Sequence, residues 1–135
     1  MSVNSPITAS HRLFQGEDRN IEFTVTDSAG APQNCFSFTL AFFVFESSSR
    51  GTKLLDISAG AITLFDVNGT NDGIRVAIAD TDTIAAIVPP ALVGEIIIPA
   101  GTYWYELWRV DEGYEHPLAT GDFTLRSAGR RQEVT

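Results

Sequence analysis

Apolar residues recur at every second position in several short stretches of this chain, the period of half-buried strands rather than helices. Ile21, Phe23 and Val25 alternate with Glu22, Thr24 and Thr26, and Asp27-Ser28-Ala29-Gly30 ends that strand with turn-forming residues. From Phe36 to Phe45 one face carries Phe36, Phe38, Leu40, Phe42 and Val44. The other face turns apolar at Phe43 and Phe45, as in a central strand covered on both sides at that end. Ser47 to Gly51 reads as a loop, and Lys53 to Ile57 and Ala61 to Phe65 predict two short strands around Ser58-Ala59-Gly60. Asn68-Gly69 and Asp72-Gly73 are hairpin-type dipeptides that lead into Ile74, Val76 and Ile78, alternating with Arg75, Ala77 and Ala79. Gly101 to Val110 is an aromatic-rich strand, and Asp111-Glu112-Gly113 turns it toward a partner, Leu118 to Leu125, in which Gly121 suggests a bulge. Asp80-Thr81-Asp82-Thr83 ahead of Ile84 to Ile87 offers capping oxygens for one or two helical turns before Pro89.

About seven short strands with at most one short helix predict an all-β fold, an immunoglobulin-like antiparallel β-sandwich. The sandwich is expected over residues 13–126, flanked by a polar N-terminal arm, 1–12, and a locally basic C-terminal arm, 127–135. At 135 residues, with 44% hydrophobic and 19% charged, the chain suffices for one core that needs no disulfide or metal staple.

Charge narrows the range of partners. A net charge of −8 opposes binding to nucleic-acid phosphates and to anionic lipid surfaces, so neither partner is expected. The longest apolar stretch, from Ala85 to Pro99, is broken by Pro89, Pro90, Gly94 and Glu95 and does not predict a membrane-spanning helix. Met1 to Pro6 lacks the basic and apolar regions of a signal peptide, which points to synthesis in a cytoplasm.

Candidate chemistry is sparse. Cys35 is the single cysteine, so no intrachain disulfide or thiolate zinc site forms, and its apolar neighbourhood predicts a buried, inert thiol. His11 and His116 fall in segments that read as surface, and no nucleophile-base spacing surrounds them. Asp66, Asn68, Thr70 and Asp72 place oxygens at alternate positions, as calcium loops do, yet Asn71 stands where such loops need glycine, so a plain turn is the better reading. Asp80 and Asp82 beside two threonines are explained by helix capping. No catalytic residue, metal or cofactor is expected.

The informative cluster is Gly101-Thr102-Tyr103-Trp104-Tyr105-Glu106-Leu107-Trp108-Arg109. Alternation puts Tyr103, Tyr105 and Leu107 on one face and Trp104, Glu106 and Trp108 on the other. If Leu107 marks the core face, the two tryptophans form an outward stripe suited to anchoring a protein partner. The alternative is that the apolar segment Val88 to Pro99 of the same chain covers them.

The order of these motifs resembles small virion proteins of tailed phages, in particular the immunoglobulin-like N-terminal domain of phage baseplate upper proteins. The shared features are Leu13-Phe14-Gln15-Gly16-Glu17-Asp18 before the first long strand and Phe23-Thr24-Val25-Thr26-Asp27-Ser28-Ala29-Gly30 through its turn. The closing Gly101-Thr102-Tyr103-Trp104-Tyr105-Glu106-Leu107 and Gly121-Asp122-Phe123 strands complete the likeness, which runs from Leu13 to Leu125. It implies a non-enzymatic structural protein of the virion, an adaptor docking onto tail, baseplate, neck or fibre components in a symmetric, homo-oligomeric arrangement. Trp104 and Trp108 are its candidate partner-binding residues, together with Arg130 and Arg131 of the C-terminal arm. Capsid decoration and carbohydrate binding during adsorption are the alternative roles.

Overall fold

The computed structural model describes residues 7–8, 10–14, 18–57, 59–79, 98 and 100–126. Among them are nine strands: β1 (Ile7–Thr8), β2 (His11–Phe14), β3 (Arg19–Thr24), β4 (Leu40–Ser47), β5 (Arg50–Ile57), β6 (Ile62–Phe65), β7 (Gly73–Ile78), β8 (Gly101–Arg109) and β9 (His116–Arg126). One three-residue 3-10 turn, Ala59–Ala61, joins β5 to β6. The larger sheet has the order β1-β9-β8-β4-β5 with β2 also on β9, and the smaller has the order β3-β7-β6. This is an all-β sandwich: β4, β8 and β9 lie opposite β3, β7 and β6, and β5 is added beyond β4. The described residues hold no helix long and apolar enough to cross a membrane.

The inward faces follow the period-two pattern. Ile21, Phe23 and Val25 of the β3 segment and Ile74, Val76 and Ile78 of β7 meet Leu40, Phe42, Val44, Tyr105, Leu107, Phe123 and Leu125 of the larger sheet in one core. Tyr105 is its hub. Its ring stacks on Phe42 at 5.6 Å and lies 5.7 Å from Phe23, so one aromatic cluster spans both sheets. Cys35 is fully buried in the same core, and burial, followed by the negative charge of Asp72, pushes its thiol up to about 11. It is an un-ionised packing residue.

The structure corrects several expectations. β4 begins at Leu40, not Phe36, because the Asn34 side chain accepts the Phe36 N–H at 2.9 Å and Phe38 N–H donates to Cys35 O at 3.0 Å, closing a turn. Phe36 is accordingly 77% exposed, and Phe38 lies under the Arg109 guanidinium at 3.9 Å. Gly121 is no bulge: it pairs in register with Tyr105, and the irregularity lies at Leu107/Trp108 opposite Ala119 and Pro117. Pro117 has no N–H to give the ladder, which accounts for a break there.

Strand pairing also starts before Leu13. Ile7 and Thr8, then His11 to Phe14, run parallel to β9, so the segment read as an arm contributes strands to the larger sheet. The helical turns expected from Asp80, the Asp80/Asp82 pair and the C-terminal arm lie outside the described residues. So does Val88 to Pro99, except for Ile98, which is buried in the core.

The two carboxylates of the calcium-like loop accept N–H groups of the loop itself. Asp72 accepts the N–H groups of Val67 at 2.8 Å and Asn68 at 3.0 Å, and Asp66 accepts that of Asn71 at 2.8 Å. Burial pushes the Asp72 carboxyl up, but the backbone donors outweigh it and hold the group below the ordinary carboxylate value. Asn71 adopts a left-handed φ of 53°, a conformation asparagine tolerates well, as the tight turn into β7 requires.

His11, expected at the surface, is half-buried. Its ring packs edge-on against Phe23 and Tyr105, each at 5.3 Å, and its Nε2 is buried with no hydrogen-bond partner among the described residues. Burial, with a smaller contribution from the Arg19 charge, lowers its pKa below the usual 6.5. Below 6.5 the unfolded chain therefore binds a proton that the folded chain refuses, and stability falls as pH drops through that window. The urea midpoint is expected to decrease between about pH 7.5 and 5.5, and to decrease less in His11→Phe. Equal slopes in the two proteins would contradict this placement.

Candidate protein-docking face

Strand β8 lies between β4 and β9, and its alternation turns Tyr105 and Leu107 into the core while Trp104, Glu106 and Trp108 face outward. Register then decides what surrounds them. Phe45 of β4 lies opposite Trp104, Phe43 opposite Glu106 and Ala41 opposite Trp108. One strand further out, Lys53 lies opposite Phe45 and Asp56 opposite Phe43. Four large aromatic side chains thus share one outer face, and all four are half-buried rather than covered as expected for Phe43 and Phe45.

Glu106 organises this face. It is only 5% exposed although it points away from the core. Trp104 Nε1 donates to Oε2 at 3.0 Å and Trp108 Nε1 to Oε1 at 2.8 Å. Arg50 adds a bidentate clasp, Nε to Oε2 at 3.1 Å and Nη2 to Oε1 at 3.1 Å. Burial pushes the carboxyl pKa up, but the bonds from Trp108, Arg50 and Trp104 and the Arg50 charge outweigh it, so the group stays ionised below the ordinary range. Four donors occupy the lone pairs a carboxylate offers. Glu106 is therefore a strut that fixes both indoles rather than a general acid or base.

Arg50 reaches Glu106 because of the turn it ends. Its φ of 76°, with Gly51 at 63°, lies in the left-handed region that costs a non-glycine residue some strain. The guanidinium lies 5.8 Å from the ring centres of both Phe45 and Trp108, so cation-π attraction adds to the ion pair. Lys53 stands 4.9 Å over Phe43 while pairing with Asp56 at 2.9 Å. Between these side chains lies a recess of about 400 Å³ with apolar walls of Phe43, Phe45, Trp108 and Val110 and polar lining from Arg50 and Glu106.

Of the residues singled out from the sequence, Trp104 and Trp108 meet here, and Arg130 and Arg131 lie outside the described residues. Reading the sequence missed Arg50, Phe43 and Phe45 as members of the face. The Trp-x-Glu-x-Trp spacing was a legible signal for Glu106, since residues two apart share a strand face. Cys35 is in the core, His11 is half-buried against Phe23 and Tyr105, and His116 bonds through Nδ1 to the Tyr114 carbonyl oxygen at 2.8 Å, so neither histidine is placed with the thiol. Among the described residues no three His, Cys, Asp or Glu side chains converge as a metal site.

No protein-family model matches the chain, and no curated protein matches it closely enough to count as a relative. The face offers recognition: half-buried rings, an apolar recess and a frame in which Arg50 is paired with Glu106 and Lys53 with Asp56.

Proposed function

We propose that this chain is a non-enzymatic structural protein of a tailed-phage virion, an adaptor that docks onto tail, baseplate, neck or fibre proteins by the outer face of β5-β4-β8. The observation that carries the docking role is the set of four half-buried aromatic side chains, Phe43, Phe45, Trp104 and Trp108, framed around the Glu106 strut. Aromatic rings held rigid lose little entropy on binding and anchor interfaces well. Assignment to a virion rests on the motif resemblance from Leu13 to Leu125. Symmetric repetition on a particle would turn one modest contact per subunit into firm attachment, with Arg130 and Arg131 of the arm adding a second contact.

A protein partner fits this face better than a sugar. Stacked sugars also need hydrogen-bonding groups for their hydroxyls, and here both indole N–H groups and the Glu106 oxygens are already used. Capsid decoration would use the same face at a different position on the particle.

The test is incorporation. Phe43→Ala and Trp108→Ala are each expected to reduce copies per purified particle by about tenfold or more, measured by quantitative mass spectrometry, while each purified variant still unfolds cooperatively. Wild-type copy number in both variants would reject this face as the attachment surface.

A further inference from the structure

Strand β5 is the open edge of the larger sheet: among the described residues it pairs with β4 alone. One row of its backbone N–H and C=O groups is therefore available to another strand. We propose that this edge is a self-association surface, on which β5 of a second copy pairs antiparallel across a two-fold axis passing between Leu54 and Leu55.

The strand is complementary to itself in that register. Lys53 of each copy falls opposite Asp56 of the other, and Leu54 opposite Leu55, so the contact contains two opposite-charge pairs and two apolar pairs. The faces agree as well. Residues three apart in a regular strand point to opposite sides, but the register shift between Val44↔Leu55 and Phe45↔Lys53 leaves Leu54 as an extra residue. Lys53 and Asp56 consequently share the outer face, as their 2.9 Å ion pair demonstrates, and Leu54 and Leu55 both pack partly against the core. In the dimer both charge pairs lie outside and both leucine pairs inside.

A charged, bulged edge turns away an arbitrary strand. A copy of the same strand supplies an Asp56 for each Lys53, so the features that exclude other partners select this one. The edge adjoins the aromatic face through the Lys53–Phe43 contact. Pairing would therefore place two docking faces side by side on one continuous sheet. An edge contact of this length is smaller than the roughly 1,000 Å² of a stable interface, and each copy carries a charge of −8, so association in solution is expected to be weak. The inference does not depend on the virion reading, because it is tested on purified protein without a particle.

Sedimentation equilibrium of the full chain up to about 1 mM, in about 0.15 M salt, decides it. The average mass is expected to rise with concentration from 14.7 kDa toward twice that value. Lys53→Glu and Asp56→Lys should each weaken association by about tenfold or more, since each places like charges opposite one another. An equimolar mixture of the two variants should associate again, because the introduced glutamate then faces the introduced lysine and the remaining Asp56 faces the remaining Lys53. Restored association in the mixture also shows that the single variants fold. A wild-type mass fixed at 14.7 kDa, variants that associate as the wild type does, or a mixture that stays monomeric would each overturn the proposal.

Discussion

Phe42→Ala is expected to destabilise the domain by about 3–5 kcal/mol, more than any other change considered. Phe42 is fully buried in the middle of β4, stacked on Tyr105 at 5.6 Å and edge-on to Phe123 at 6.3 Å. Its backbone cannot move to fill the gap, because β4 pairs with β5 on one side at Ile57 and with β8 on the other at Leu107. The lost ring therefore leaves a cavity whose cost adds to the lost burial. Against a total stability of about 5–15 kcal/mol for a typical domain this is a large fraction, and at the lower end of that range it brings the protein close to unfolding. Urea titration should show a much lower midpoint with an unchanged slope. A loss below about 1 kcal/mol would mean that the ring is not closely packed between Tyr105 and Phe123.

Glu106→Ala is expected to cost about 2–3 kcal/mol and, unlike Phe42→Ala, to disorganise the outer face. The substitution removes the acceptor of both indole N–H groups and of Arg50, whose side chain is 54% exposed. Solvent around Arg50 recovers part of the loss, which keeps the cost below that of breaking a fully buried pair. Near-UV circular dichroism should lose tryptophan signal, since neither ring retains its anchor. Glu106→Gln should lie between Glu106→Ala and the wild type, because the amide keeps one acceptor oxygen but turns an NH2 toward donors.

The pH dependence has a definite sign. The folded carboxyl titrates below the ordinary 4.5, so its stabilisation is complete above that value and is lost as pH falls through the folded pKa. Glu106→Gln should flatten that acid limb. Unchanged stability and unchanged near-UV signal in Glu106→Ala would remove the strut from the account.

Much of this arrangement was legible in single strands and little of it between strands. Ile21, Phe23 and Val25, or Tyr105 and Leu107, announce their faces because side chains alternate strictly along a strand. The same rule placed Trp104, Glu106 and Trp108 together. What no local pattern encodes is register: that Phe45 lies opposite Trp104 and Phe43 opposite Glu106 depends on how β4 and β8 pair. Arg50 was equally hidden, since it arrives from a serine-rich turn through a left-handed backbone conformation. Phe36 and Phe38 misled because their alternation continues that of β4, whereas the Asn34 and Cys35 bonds impose a turn. The parallel pairing of β1 and β2 with β9 escaped notice because Ile7–Thr8 and His11–Phe14 are too short for alternation to register.

In the proposed role, the outer face of β5-β4-β8 attaches this domain to a protein of a tailed-phage virion. A density map of the tailed-phage particle proposed to carry this chain is the decisive measurement. Under this proposal the sandwich lies at the tail, baseplate, neck or fibre base, with density of a second protein seated against Phe43, Phe45, Trp104 and Trp108. A particle that lacks the domain, or that carries it with this face turned to solvent, would contradict it.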